Sequence, residues 1–387
     1  MRHWTSGAAH CTTYNRGSLT MVTPSRITLA RKRRGLTLAE LSQRADVSLQ
    51  SLSNYETGRT EPRRDTVRRL AQSLDFPETF FSGPELDELP AEGISWRART
   101  KTPARTLEAA RAAGTLAAQL YDWIDRHFRL PGPDIPSLGK PDPETAAEMV
   151  RTRWGLGNAP APNMVHVLEA HGVRVFSLAP DYAEVDAFAV WRGTVPFVFL
   201  NTLKSVERGR FDAAHELGHL VMHGSDRQCS GPEAERQAND FASAFLMPAA
   251  SVLGHMPAGA HVDQIIKGKS IWKVSAMALT YRMHDLDLLT DWQYRSTCAE
   301  LSKRGYRTDE PQGMKKRETS QVLTKVFQGL RSTGVRPSAV ADELGLTVDE
   351  MNKMLFGLTI TSVEGGGERV GTSPRRALTL VTEGPSA

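Results

Sequence analysis

His215-Glu216-Leu217-Gly218-His219 puts two imidazoles four residues apart, with a carboxylate directly after the first. On a helix, positions i and i+4 share one face, one turn apart. Two imidazoles placed this way can take one Zn²⁺, each at about 2.0–2.1 Å. Glu216 then points at the position left open on the metal. A carboxylate there can accept a proton from water and pass it to a leaving amine, the chemistry of metal-assisted peptide hydrolysis.

A catalytic zinc site needs a third protein ligand besides its open position. Downstream, GPEAERQANDFASAFLMP reads as a helix begun by Pro232, with Ala234, Ala238, Phe241, Ala242, Phe245 and Leu246 as its apolar stripe. Its two glutamates are Glu233 and Glu235, and the helix phase favours Glu235, one turn before Asn239. His223 lies about 12 Å along the first helix from His215 and is poorly placed to share the same metal. Cys229 reads as a plain cysteine of the loop between the two helices. Asp212 reads as a solvated helix acid, or else as a contact to a ligand imidazole.

These residues need a scaffold. The helix carrying the two histidines is expected from Val206 to about His223. Upstream, VRVFSL, VDAFAVW and PFVFLN are β-branched and aromatic runs divided by turn residues, which predicts three strands. Helix signals precede them at PETAAEMVRTRWG and NMVHVLEAHG. A longer amphipathic helix is expected over Ala104–Phe128, interrupted in composition by Gly114. Beyond Pro248 the chain returns to helix-like pieces up to about Gly357. One of them, SAVADELGLTVDEMNKMLFG, has helix-turn-helix form but more acids than bases, and reads as a structural or dimerising unit.

A second constellation lies near the N-terminus, where Pro24 to about Ser82 predicts four or five short helices. Thr37 and Glu40 form a capping box that starts one helix. Ala45-Asp46-Val47 makes a short turn, and Ser48 is a natural N-cap for a second helix, Leu49–Glu56, ended by Gly58. Leu52 and Tyr55 face the core, while Gln50, Ser51, Ser53 and Asn54 face outward. Short amide and hydroxyl side chains on an exposed helix suit base edges in a major groove. Between Pro24 and Asp75 there are eleven Lys and Arg against six Asp and Glu, a local +5 in a chain of net +4. The positive charge is concentrated where phosphates would be met. Thr37, Ser48, Gln50, Ser51, Asn54, Arg59 and Arg63 are the expected DNA contacts.

LTLAELSQRADVS, LSNYETGRTEP and VRRLAQSL together resemble the Cro/repressor-type (XRE family) helix-turn-helix. HELGHLVMH followed by ERQANDFASAFLMP resembles the ImmA/IrrE family of metallopeptidases, with Phe245 where that family's pattern usually has Leu. The first resemblance implies that Ser48–Glu56 is a recognition helix. The second implies a zincin-like domain in which His215, His219 and Glu235 are metal ligands, Glu216 is the catalytic base and Asn239 positions a helix.

The remaining composition narrows the class. Hydrophobic residues at 40% and charged residues at 24% exclude a mainly disordered or membrane-embedded chain. Three scattered cysteines make no disulfide framework and suit a reducing compartment. No apolar run reaches about 18 residues and the N-terminus lacks a secretory h-region, so a cytoplasmic protein without a membrane partner is expected. Translation could begin at Met1 or Met21.

The expected fold is α+β and mostly helical: an N-terminal all-α helix-turn-helix domain, a zincin-like domain with a small β-sheet, then C-terminal helices. Expected boundaries are a disordered extension 1–23, the DNA-binding domain 24–82, a hinge and linker helix 83–142, the metallopeptidase domain 143–252, a helical region 253–360 and a flexible tail 361–387. The expected function is a homodimeric regulator of double-stranded DNA whose zinc endopeptidase domain cleaves a repressor or antitoxin-like protein. The alternative is a non-cleaving repressor or antitoxin whose metallopeptidase-like domain senses a ligand or stress.

Overall fold

The computed structural model describes residues 21–98, 102–138, 142–178, 184–224 and 231–359. Cys11, Cys229, most of the expected N-terminal extension and the expected C-terminal tail lie outside the described residues.

Five short helices open the described chain: α1 (Pro24–Arg33), α2 (Leu38–Ala45), α3 (Leu49–Glu56), α4 (Arg64–Leu74) and α5 (Glu78–Phe81). Local chemistry sets their ends. The Thr37 hydroxyl accepts from the Glu40 amide, and the Glu40 carboxylate accepts from the Thr37 amide at 2.7 Å, closing the capping box of α2. Asp46 ends α2 in the left-handed region, at φ 49°, a conformation that Asp tolerates better than most residues. The Ser48 hydroxyl then accepts from the Ser51 amide and starts α3. Ile27, Leu41, Leu52, Leu70, Leu74 and Phe80 are buried between these helices.

The middle of the chain builds an α/β unit from β1 (Ser95–Ala98), α6 (Ala104–His127), α7 (Pro143–Arg153), α8 (Met164–Ala170), β2 (Arg174–Ser177), β3 (Val185–Arg192) and β4 (Val195–Leu200). The sheet order is β1-β3-β4-β2, with β1 and β4 antiparallel to β3 and β2 parallel to β4. Three strands were expected here; the fourth, β1, comes from the hinge region. Four residues carry no readable period, and only pairing with β3 defines them as a strand. Helix α6 lies close against the sheet at Gly114. A Cβ there would stand 2.6 Å from Leu89 Cδ1 and 3.2 Å from Phe199 Cζ, so the interior glycine serves close packing.

Next come α9 (Val206–Gly218), a π-helical turn (His219–His223) and α10 (Pro232–Leu246). The single α-helix expected to His223 is therefore corrected. The Gly224 amide bonds the His219 carbonyl five residues back, at 3.1 Å, which is the π pattern. Helices α9 and α10 approach closely at Gly218, where a Cβ would lie 3.0 Å from Phe241 Cδ1 and 3.3 Å from Ala238 Cα.

Seven helices complete the described chain: α11 (Ala249–His255), α12 (Val262–Trp272), α13 (Ala276–Asp285), α14 (Asp291–Lys303), α15 (Gln321–Ser332), α16 (Pro337–Leu344) and α17 (Val348–Leu355). The segment before α15 is strapped to the central unit. The Glu207 carboxylate accepts from the Met314 amide, Arg210 pairs with Glu318, and Glu169 caps α15 through the Gln321 and Val322 amides. The α16–α17 hairpin has helix-turn-helix shape, with Gly345 in the left-handed region at its turn. It docks inward: Glu350, 1% exposed, is held by Arg33 and Arg34 from the end of α1, and Gln119 of α6 donates to the Leu344 carbonyl. Among the described residues no helix is long and apolar enough to cross a membrane.

Candidate functional site

His215, His219 and Glu235 converge between α9, the π-turn and α10, and among the described residues they are the group able to hold a metal ion. His215 Nε2 and His219 Nε2 stand 3.1 Å apart. His215 Nε2 lies 3.4 Å from Glu235 Oε2, and His219 Nε2 lies 3.2 Å from Glu235 Oε1. Ligand atoms about 2.0–2.1 Å from one tetrahedral ion stand about 3.3 Å apart, so this triangle fits one face of a zinc coordination sphere. Both imidazoles are buried, while Glu235 is partly exposed. Burial pushes the His215 pKa down to about 3, so the ring is neutral at ordinary pH, as a ligand must be. Its Nδ1 is turned away from the triangle, 3.1 Å from Asn239 Oδ1.

Glu216 is fully buried next to His215; no side chain hydrogen-bonds its carboxylate, and the Ala189 backbone on β3 is its polar neighbour. Burial pushes its carboxyl well above the ordinary range; Glu235 and Asp212 add to this, and the Arg97 guanidinium opposes it. A buried carboxylate so sparsely partnered is expensive, and its place beside the ligand residues fits a site built around water and a cation.

Several neighbours differ from expectation. Asp212 touches neither imidazole. It is buried and faces Arg97 Nη1 at 3.2 Å and Arg208 Nε at 4.0 Å, so it anchors α9 to β1 rather than orienting a ligand. Arg97 had no signal in the sequence because β1 itself had none. Glu233 points away and pairs with Arg236 at 2.6 Å. His223 is outside the ligand group, but its Nδ1 lies 3.0 Å from His219 Nδ1. Residues 219 and 223 are spaced as 215 and 219 are, so spacing made them neighbours; read from sequence, His223 is weighed only as a ligand.

On the helix-turn-helix, Gln50 is exposed and its amide donates to Asn54 Oδ1 at 3.2 Å, which sets the two side chains together on the outer face of α3. Arg59 and Arg63 are exposed just beyond α3 and at the start of α4. The hydroxyls of Thr37, Ser48 and Ser51 are engaged in capping, so their first task is to start helices. Leu49, 52% exposed at the start of α3, is an additional candidate that the sequence reading passed over; an apolar side chain there suits a thymine methyl. The local charge also overstates what phosphates can meet. Arg31 is bound to Glu56 and Arg26 to the Phe80 and Pro84 carbonyls, while Arg33 and Arg34 hold Glu350.

Two buried imidazoles and a partly exposed glutamate with a buried carboxylate beside them, preceded by an exposed recognition-type helix, point to a DNA-binding protein with a metallopeptidase-like domain. Comparison with known families agrees. Residues 27–81 match the helix-turn-helix family model, and residues 168–284 match the IrrE N-terminal-like domain, a peptidase family. No curated protein matches the chain. The chain thus joins an XRE-type helix-turn-helix to an ImmA/IrrE-like domain.

Proposed function

We propose that the protein is a transcriptional regulator that cleaves a repressor or antitoxin-like protein at the His215/His219/Glu235 centre. The observation that carries this reading is Glu216, a fully buried carboxylate with no side-chain partner, next in sequence to one of three converging ligand residues. A sensor that only bound metal would have no use for a costly buried carboxylate in that place. When bound, a divalent cation such as Zn²⁺ supplies a Lewis acid that polarises the scissile carbonyl and acidifies water. His215 and His219 offer neutral nitrogens to it, and Glu235 offers the balancing charge. Glu216 accepts the proton of the attacking water and returns it to the leaving amine. Gln50 and Asn54 read base edges while Arg59 and Arg63 meet phosphates, with two copies on a near-palindromic operator.

The experiment compares cells making the wild-type protein with cells making Glu216→Gln, by labelling the new N-termini of cellular proteins. The variant should keep metal and DNA binding and lose about 10²–10⁴-fold in cleavage rate, the usual worth of general acid–base assistance. If DNA occupancy responds to its signal and no new N-terminus depends on Glu216, the cleavage reading fails and the non-cleaving sensor takes its place.

A further inference from the structure

We propose that His223 is a positioning residue for the metal centre: through the chain His219–His223–Gln237 it fixes which nitrogen of His219 carries the proton. This rests on reading His215, His219 and Glu235 as ligands.

The chain of protons follows from its outer end. His223 Nε2 lies 3.0 Å from Gln237 Oε1. An amide oxygen only accepts, so the His223 proton sits on Nε2 and its Nδ1 is an acceptor. His219 Nδ1, 3.0 Å from that acceptor, must therefore be the donor. A neutral imidazole has one such proton, so His219 Nε2 is left as a bare lone pair facing Glu235 Oε1. His215 reaches the same state by a shorter route, donating from Nδ1 to Asn239 Oδ1. Both routes end on amide oxygens of α10, the helix that carries Glu235. One helix thus supplies the carboxylate and sets both imidazoles to present lone pairs.

The backbone accounts for why His223 can do this. On an uninterrupted α-helix, residues 215, 219 and 223 would follow one another along nearly the same face. The helix changes to a π-turn from His219 to His223, and the third ring meets the second on the side away from the ligand triangle. The ring centroids of His219 and His223 are 5.1 Å apart, and the contact is between Nδ1 atoms. His215 and His219 instead meet through Nε2. Partners that orient a metal-bound imidazole are typically worth 10–100-fold in metal affinity.

The test measures Zn²⁺ affinity of the full chain by competition with a chromophoric chelator, and the visible absorption of its Co²⁺ form. His223→Phe keeps a ring but has no acceptor. His223→Asn keeps an acceptor near the Nδ1 position. Thermal unfolding of the metal-free chains monitors the fold. The expected result is a 10–100-fold loss of affinity and an altered Co²⁺ spectrum in His223→Phe, with His223→Asn close to wild type. Wild-type affinity in His223→Phe overturns the proposal. So does an equal loss in both variants when the metal-free fold is intact, since the ring and not its acceptor would then matter. Should His223→Phe fail to fold, Gln237→Ala carries the test: a severalfold loss supports the relay, and unchanged affinity overturns it. A wild-type chain that binds no Zn²⁺ removes the ligand reading underneath, whereas a zinc-binding wild type with an unaltered His223→Phe removes this inference alone.

Discussion

The helix-turn-helix and the His/His/Glu centre are each built on two consecutive helices, and they use those helices in opposite ways. In α2 and α3 the polar side chains face outward, where water satisfies whatever the protein does not. Gln50 and Asn54 need only each other to be held in place. In α9 and α10 the polar side chains face inward. There each nitrogen and oxygen needs a protein partner or a ligand, and the two imidazoles recruit Asn239, His223 and Gln237. Outward sites separate binding from folding; inward sites tie them together. A substitution in the first region should change recognition and leave stability alone. One in the second should change both, except at Glu216 if it serves water as proposed.

The contact between the DNA-binding helices and the rest of the chain gives the largest expected effect on stability. Glu350 is buried with Arg33, both side chains 1% exposed, and also binds Arg34 at 2.8 Å. Glu350→Ala leaves two arginines facing a gap, and removal of one member of a buried pair typically costs about 3–5 kcal/mol. Chemical denaturation of the full chain reads this directly. A loss under 1 kcal/mol would mean the hairpin α16–α17 is only loosely docked.

Gly218→Ala sharpens the inward half of the comparison. Its new Cβ would press on Phe241 and on the backbone of Ala238. Overpacking of this kind typically costs about 1–3 kcal/mol, and because it pushes α9 from α10 it should weaken metal affinity as well. A variant that loses stability but binds metal like wild type would show that the two helices need not be so close for the ligands to meet.

Asn54→Ala addresses the outward half. Loss of one base-edge contact should cost about 1–3 kcal/mol on the preferred operator, measured by titration at fixed salt, with the unfolding midpoint unchanged. Equal weakening on all sequences would assign Asn54 to the backbone instead.

Legibility in the sequence followed the range of the interactions. The capping box at Thr37, the left-handed Asp46 and the cap at Ser48 each depend on neighbours within a few residues, so the N-terminal helices could be placed from sequence. The His215/His219 pair was visible because helix geometry alone brings it together, and helix phase separated Glu235 from Glu233. What escaped was set at long range. β1 becomes a strand only by pairing with β3, some 90 residues away, and Arg97 came hidden with it. The π-turn has no composition signal, since it only exchanges one hydrogen-bond pattern for another; spacing weighs His223 by its distance from His215 and not by its contact with His219. Likewise, the arginines counted toward DNA included several whose partners lie in α3, α5 and α17. Charge counting cannot know where a carboxylate 317 residues distant will fold back.

The most direct measurement is metal content. Protein purified without affinity-tag metals and analysed by mass spectrometry under native conditions should hold one divalent ion per chain, since three ligand atoms here define a single centre. The double variant His215→Ala/His219→Ala should hold none and still bind DNA, because its helix-turn-helix is untouched. Full metal occupancy in the double variant would contradict the assignment of the site.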